Sequence, residues 1–214
     1  MSVALRIAGG LEDYLQRRTA IYFLVLALFV MGSAFGAVAV NALSPEQRLD
    51  LKTYLDSFFH GLKEGPGVSQ TGVVQRSFLT NVVKTGAVLW LLGLSVVGIP
   101  LVLIVVFTRG FVLGFTVGFL VKEMAYRGIV LAFLSVLPHN LLLIPALIVG
   151  GVAAISFALS FLSGRLGWHR EGLGEEFAAY TLVMLAVCAA MGAAALVEGF
   201  VTPTLLQLVS RVMG

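Results

Sequence analysis

The stretch "SVLPHNLLLIPALIV", residues 135–149, decides the fold because it places Pro138, His139 and Asn140 inside a run that otherwise suits lipid. The surrounding uncharged run, 128–164, would reach about 55 Å as one helix, whereas the hydrocarbon core of a bilayer is roughly 30 Å thick. One straight span therefore cannot use all of it.

The two prolines explain how this run is divided. Pro138 removes a backbone N–H donor and restricts the residue before it, and Pro145 opposes a simple restart of the helix. The pattern predicts a half-helix, a break at 138–140 and a full span over about 141–162. Because unpaired backbone groups cannot face lipid, we expect the break to be buried in protein or to line a cavity.

His139 allows three interpretations. Its imidazole could satisfy backbone groups freed at the break, contact another protein, or handle a proton or an ion, as broken helices do in transporters. No acidic or thiol side chain is near it in sequence, so no metal site is predicted.

The amino-acid composition indicates that most of the chain lies in a lipid bilayer. Of the 214 residues, 59% are hydrophobic and 12% are charged, which is the balance of an integral membrane protein. Too little polar sequence remains for a separate soluble domain, so we predict a single membrane domain, 1–214. The lone Cys188 excludes an intramolecular disulfide, and the net charge of +3 is spread without a basic block for nucleic acid. No cofactor is predicted.

The amino-terminal part of the sequence predicts a short helix before the membrane and then a membrane span. Residues 1–18 predict a short cytoplasmic amphipathic helix, and 19–43 form an uncharged first span. Gly32 and Gly36 give this span a face of small residues, which favours close helix packing but is also compatible with glycines that are merely tolerated.

Residues 44–64 change character abruptly. Ser44, Pro45 and Gln47 form a capping-box start, and the apolar side chains that follow recur with helical spacing. This predicts an extracytoplasmic amphipathic helix that lies on the membrane surface, folds back on the bundle, or docks a partner or second copy. The residues of the predicted docking face are Leu51, Leu55, Phe58 and Phe59.

The middle of the chain predicts a second span over 85–108 and a separate glycine-faced helix over 110–121. The latter is about 18 Å long, so it must be re-entrant, or be buried in protein and extended by its flanks. Gly110, Gly114 and Gly118 recur every fourth residue and predict close packing.

The last span is predicted over 177–197. Glu198 lies at its edge, where a carboxylate either reaches water and caps a neighbouring helix or marks a functional site, and Pro203 predicts a kink or stop.

Together these segments predict an all-α, polytopic integral membrane protein with about five membrane-inserted segments, broken helices and one extracytoplasmic amphipathic helix. Arg17 and Arg18 before the first span favour a cytoplasmic amino terminus. Five membrane-inserted passes then place Arg109 and Arg165 on the cytoplasmic side, whereas a re-entrant segment over 110–121 would reverse the topology of the carboxyl-terminal half. Sequence motifs of serine hydrolases, zinc proteases and phosphate-binding loops are missing, so the chain is predicted not to be an enzyme. A scaffold and a small transporter or channel remain open.

Four separated motifs resemble the stage II sporulation protein M family across nearly the whole chain. They are "FVMGSAFGAVAVNALSPEQRLDLKTYLDSFFHGLKEG" (29–65), "RGFVLGFTVGFLV" (109–121), "LSVLPHNLLLIPALIV" (134–149) and "VEGFVTPTLL" (197–206). Glu198, Thr202 and Pro203 match the family's carboxyl-terminal motif. The wider family often has glycine and an acidic residue where this chain has Asn140 and Leu143, which resembles the sporulation branch and disfavours ion handling.

The resemblance implies a scaffold in the mother-cell septal and engulfing membrane of an endospore former. Its expected partners, besides membrane lipid, are stage II sporulation protein P, an amidase and endopeptidase, and stage II sporulation protein D, a lytic transglycosylase. A homodimer is also compatible with the glycine faces, although one protomer could satisfy both faces internally. The competing interpretation is a transporter or channel with His139 and Glu198 near its path.

Overall fold

The computed structural model describes residues 19–63, 70–165 and 173–213, and every regular element within these ranges is helical. The predicted amphipathic helix over 1–18 lies outside them. In chain order the helices are α1 Thr19–Ala39, α2 Pro45–Lys63, α3 Gln70–Phe78, α4 Val88–Gly93, α5 Gly98–Ser135, α6 Leu137–Arg165 and α7 Leu173–Met213. A 3₁₀ turn, Val40–Ala42, follows α1, and a π-helix, Leu79–Ala87, joins α3 to α4.

Four helical stretches are long and apolar enough to cross a membrane: Thr19–Ala42, Gly98–Ser135, Leu137–Leu162 and Gly174–Phe200. The prediction of an all-α, multi-pass membrane protein is thereby confirmed. A fifth helical segment, residues 70–93, carries Arg76 and Lys84 and lies alongside α7.

The contact between α1 and α5 is lined by glycine. A Cβ atom on Gly114 would lie 2.6 Å from the carbonyl carbon of Ser33, and one on Gly118 would lie 3.0 Å from the Cα of Ala37. Such distances exclude a side chain, so the two backbones touch. The contacts advance together along both chains, which shows that α1 and α5 run parallel. The glycines of this contact are Gly32, Gly36, Gly110, Gly114 and Gly118.

The structure corrects the predicted division of the middle segment. The predicted span over 85–108 is interrupted at 94–97, and the predicted short helix over 110–121 continues directly from the residues before it as part of α5. The sequence interpretation ended a segment at Arg109 because charges usually mark membrane edges. Here a buried polar environment lets the helix continue through it.

The helical geometry of α5 breaks at Ala125, whose φ and ψ are 47° and −123°. This is a rare conformation for a residue with a Cβ atom. Three residues later, a Cβ atom on Gly128 would collide with the Leu120 carbonyl, because the chain bends back on itself. The second part of α5 is therefore a half-helix set off from the first.

The interruption before α6 lies at Val136, slightly earlier than the predicted break at 138–140. Pro138 occupies the first turn of α6, where a missing N–H leaves no hydrogen bond unmade. Asn140 donates from Nδ2 to the Val136 carbonyl at 2.7 Å and so satisfies a backbone group at the break. Pro145, expected to oppose a restart, lies inside α6, so the helix begins at Leu137 rather than near 141.

Helix α6 occupies the centre of the bundle, where residues 151–158 are all buried. The Phe157 ring stacks on Tyr180 of α7 with 4.6 Å between centroids, and the Tyr180 hydroxyl donates to the Leu89 carbonyl at 3.1 Å and the Trp90 carbonyl at 2.9 Å. These contacts fix α4, α6 and α7 together at the end of the bundle where α7 begins.

Helix α2 lies at the opposite end. Ser44 Oγ accepts from the Gln47 N–H at 3.2 Å while the Ser44 N–H donates to Gln47 Oε1 at 3.0 Å, which is a complete capping box. Lys122 donates to Asn41 Oδ1 at 2.6 Å and ties the end of α1 to α5. Leu49 and Tyr54 of α2 remain 64% and 72% exposed, so α2 projects apolar groups away from the bundle.

Candidate functional site

Arg109 lies near the middle of the straight part of α5, level with Phe29 of α1. Its guanidinium donates to the Thr80 carbonyl at 3.1 Å, to Asn81 Oδ1 at 3.2 Å and to the Thr85 hydroxyl. A charged side chain at this depth faces protein rather than lipid because exposure to hydrocarbon would cost several kcal/mol. The expectation that Arg109 lies at the cytoplasmic edge is therefore wrong.

The π-helix positions the acceptors for Arg109. In the wider π turn, Thr85 Oγ1 donates to the Thr80 carbonyl five residues earlier at 3.0 Å, and Arg109 joins the same group. Asn81 and Thr85 are buried here at 5% and 4% exposure. Such π segments are frequent at functional sites because they redirect backbone carbonyls and side chains.

A directed hydrogen-bond chain connects Arg109 to Glu198 of α7. Arg109 donates to Asn81 Oδ1, Asn81 Nδ2 donates to Ser77 Oγ at 3.0 Å, and Ser77 Oγ donates to Glu198 Oε2 at 2.5 Å. All donors point toward the carboxylate, so the bonds polarise one another and strengthen the chain. Opposite charges are thus joined through two neutral side chains instead of through a direct ion pair.

His139 and Asn140 bring the first turn of α6 to the same place. Asn140 Nδ2 donates to the Val136 carbonyl and lies 3.0 Å from His139 Nε2. If the amide donates to Nε2, a neutral imidazole carries its proton on Nδ1. That atom is buried without a hydrogen bond of normal geometry, although the Ser135 carbonyl is close, and the charge of Glu198 acts on the ring.

These groups line a cavity of about 390 Å³ inside the helical bundle. Its other wall is apolar and includes Phe29, Leu143 and Ile144. Arg76 is exposed and lies in the last turn of α3, so the cavity reaches from Arg109 to the surface of the bundle. Its charged and amide-bearing lining residues are Arg76, Asn81, Arg109, His139, Asn140 and Glu198.

The structure brings together three residues that the sequence singled out separately. The sequence predicts His139 and Asn140 as polar groups at a helix break and Glu198 as a carboxylate at a span end, and all three line the cavity. Pro145 instead borders an apolar groove between α1 and α6.

The remaining predicted residues lie elsewhere. Pro138 is half-buried in the first turn of α6, the glycines form the α1–α5 contact, and Leu51 and Leu55 are half-buried on α2. The side chains of Phe58, Phe59 and Pro203 lie outside the described part of the structure.

The sequence interpretation missed the site's central residue. Arg109 is the only charged residue between Thr85 and Val121, and that isolation was a usable signal of an intramembrane charge. The sequence nevertheless predicts a boundary at Arg109, because the glycine-rich run after it is typical of a separate helix. The partners Ser77, Asn81 and Thr85 carried no comparable signal, since a π-helix cannot be recognised from such a pattern.

The described residues do not form a metal centre. Within 19–63, 70–165 and 173–213, no three His, Cys, Asp or Glu side chains come close enough to hold a metal ion. The cavity instead offers N–H donors, one carboxylate and an apolar wall, which suits binding of a small polar species.

Comparison with known proteins gives one family. The model of the family described as stage II sporulation protein M matches residues 25–203, a range that includes α2, the glycine contact and every charged group of the cavity. No curated protein and no solved structure gives a significant match to the chain.

Proposed function

The chain belongs to the stage II sporulation protein M family, and on that premise we propose that it is a non-catalytic scaffold that anchors peptidoglycan-degrading enzymes during engulfment. Membership makes it a sporulation-related protein, and its four apolar helices make it a multi-pass membrane protein. The proposed partners are stage II sporulation proteins P and D. They would be held in the mother-cell septal membrane, where they thin the septal wall.

The observation that carries this proposal is the position of α2. The helix is capped and tied to the bundle at its start, yet it projects Leu49 and Tyr54 into the surroundings. An amphipathic helix presented this way is a common means of binding another protein. If the amino terminus is cytoplasmic, α2 lies on the side where wall enzymes work.

Recovery of partners tests the proposal. We would express the tagged full-length protein in a spore-forming host at the engulfment stage, solubilise it in mild detergent and quantify both hydrolases by mass spectrometry. Leu55→Glu should reduce their recovery at least fivefold, because a charge on the predicted docking face must be desolvated on binding. The matched control is Thr53→Glu, which introduces the same charge at an exposed polar position on the other side of the helix from Leu55.

Equal loss in both variants would point to a general defect of α2. Unchanged recovery in Leu55→Glu would refute the docking face, and recovery of neither hydrolase with the wild-type protein would refute the scaffold.

One observation favours the second candidate function, a transporter or channel. A polar cavity with Arg109, His139 and Glu198 lies within helices long enough to span a membrane, next to a broken helix, which is where transporters bind their substrates. Solute flux into proteoliposomes that Arg109→Gln abolishes would support transport. The absence of flux for every solute tested, together with recovery of the hydrolases, would favour the scaffold.

A further inference from the structure

Arg109 carries a positive charge with no anion in contact. The acceptors it reaches are a carbonyl, an amide and a hydroxyl, all neutral, and among the residues that the structure describes no carboxylate forms an ion pair with it. A cation removed from water is costly unless a compensating charge is close. Glu198 provides compensation only at a distance, through Ser77 and Asn81.

Some N–H donors on the polar wall have no acceptor among the described residues. The three hydrogen bonds of Arg109 leave N–H groups of the guanidinium unused, and His139 adds a buried Nδ1 without a well-formed bond. With Arg76 at the open end, two cations face the single carboxylate of Glu198. With a neutral imidazole, the lining therefore has an excess of one positive charge.

The volume of the cavity limits the size of a ligand that could bind in it. A cavity of 390 Å³ holds on the order of ten water-sized groups. The apolar wall formed by Leu143 and Ile144 leaves the polar contacts to one side. We propose that this cavity binds a small monovalent oxyanion of the carboxylate type, held by the free N–H groups of Arg109 and by His139 and opposed by the charge of Glu198.

This site stands apart from the anchoring of hydrolases, since it lies inside the bundle and not on α2. If the protein transports a solute, the bound anion is the solute. The binding test uses purified protein alone, so its outcome and the outcome of partner recovery are independent.

The experiment titrates sodium acetate onto the full-length protein in detergent, with ionic strength held constant by a bulky sulfonate. Unfolding is followed by tryptophan fluorescence, and the dissociation constant is taken from the saturation of the rise in Tm. Wild-type protein should show a saturable rise. Arg109→Gln should weaken binding at least tenfold and His139→Ala severalfold, whereas Arg127→Gln, an exposed position outside the cavity, should leave it unchanged.

Glu198→Gln supplies a result that misfolding cannot imitate. The substituted amide oxygen still accepts from Ser77, but the repulsion between the carboxylate and the anion is gone, so acetate should bind about tenfold tighter. A wild-type protein without saturable dependence on acetate would overturn the proposal. So would equal affinity in Arg109→Gln, or weaker binding in Glu198→Gln.

Discussion

Helix α5 makes two contacts of opposite character. Toward α1 it presents glycines, and the two backbones touch. Toward the π-helix and α7 it presents Arg109, which forms hydrogen bonds with the π-helix. A cavity remains between these elements. The comparison shows two ways to join helices without a hydrophobic driving force: close van der Waals packing and polar contacts.

The two contacts also differ in the unpaired polar groups and empty volume that remain after the helices have packed. At the glycine contact, each of the five glycines lies directly against the backbone of the facing helix. The polar contact leaves a half-buried cation, an unused donor and open volume, none of which close packing requires. If the cavity binds an anion as proposed, the polar contact is the binding site and the glycine contact is its structural support.

The largest effect is expected from filling the glycine contact. Gly114→Leu would put side-chain atoms where the Ser33 backbone lies, so the helices must separate, and we expect a loss of about 3 kcal/mol or more in the free energy of unfolding. Thermal and SDS-induced unfolding in detergent would measure it.

The control for this change is Gly192→Ala, since a Cβ there would meet Phe78 Cε2 at an ordinary 3.5 Å. Equal tolerance of both substitutions would show that the α1–α5 contact is looser than described.

A smaller loss is expected from breaking the hydrogen-bond chain. Asn81→Leu keeps the volume but removes both links, leaving Arg109 and Ser77 without a shared partner, which should cost about 1–3 kcal/mol of stability. Thr53→Val, which removes an exposed hydroxyl bonded within α2, should change stability by less than about 0.5 kcal/mol. An Asn81→Leu protein as stable as wild type would mean that the chain contributes no net stability.

A double-mutant cycle measures the coupling of the two charges. Arg109→Gln and Glu198→Gln should each destabilise the protein, and the double variant should lose less than the sum, with a coupling of about 0.5–1.5 kcal/mol across the two intervening side chains. Strict additivity would show that the charges do not sense one another.

A change of opposite sign is expected at the bend of α5. Ala125→Gly should stabilise the protein by about 1 kcal/mol, because glycine adopts a positive φ without steric cost. Ala186→Gly, at an exposed position inside α7, should instead destabilise it by about 0.5–1 kcal/mol. Identical responses at the two positions would contradict the bend.

Much of the fold followed from local sequence. The capping box at Ser44 and the uncharged runs of α1 and α7 depend only on residues that are close in the chain, so the sequence alone predicts them. The helix boundaries within 85–121 could not be predicted from the sequence. An arginine inside a span and an arginine at the edge of a span look alike until the partners of the arginine are known.

By itself, the sequence determined that this chain is a helical membrane protein, that it resembles one sporulation family and that a long apolar run is interrupted near Pro138. Composition, periodicity and the steric effect of proline are all local properties, so they can be recognised without the tertiary structure. Tertiary structure alone decided that the glycines of α1 meet those of α5, and that His139 and Glu198 join Arg109 around one cavity. These groups are far apart in the chain, and their hydrogen bonds exist only because α5, the π-helix, α6 and α7 pack against one another.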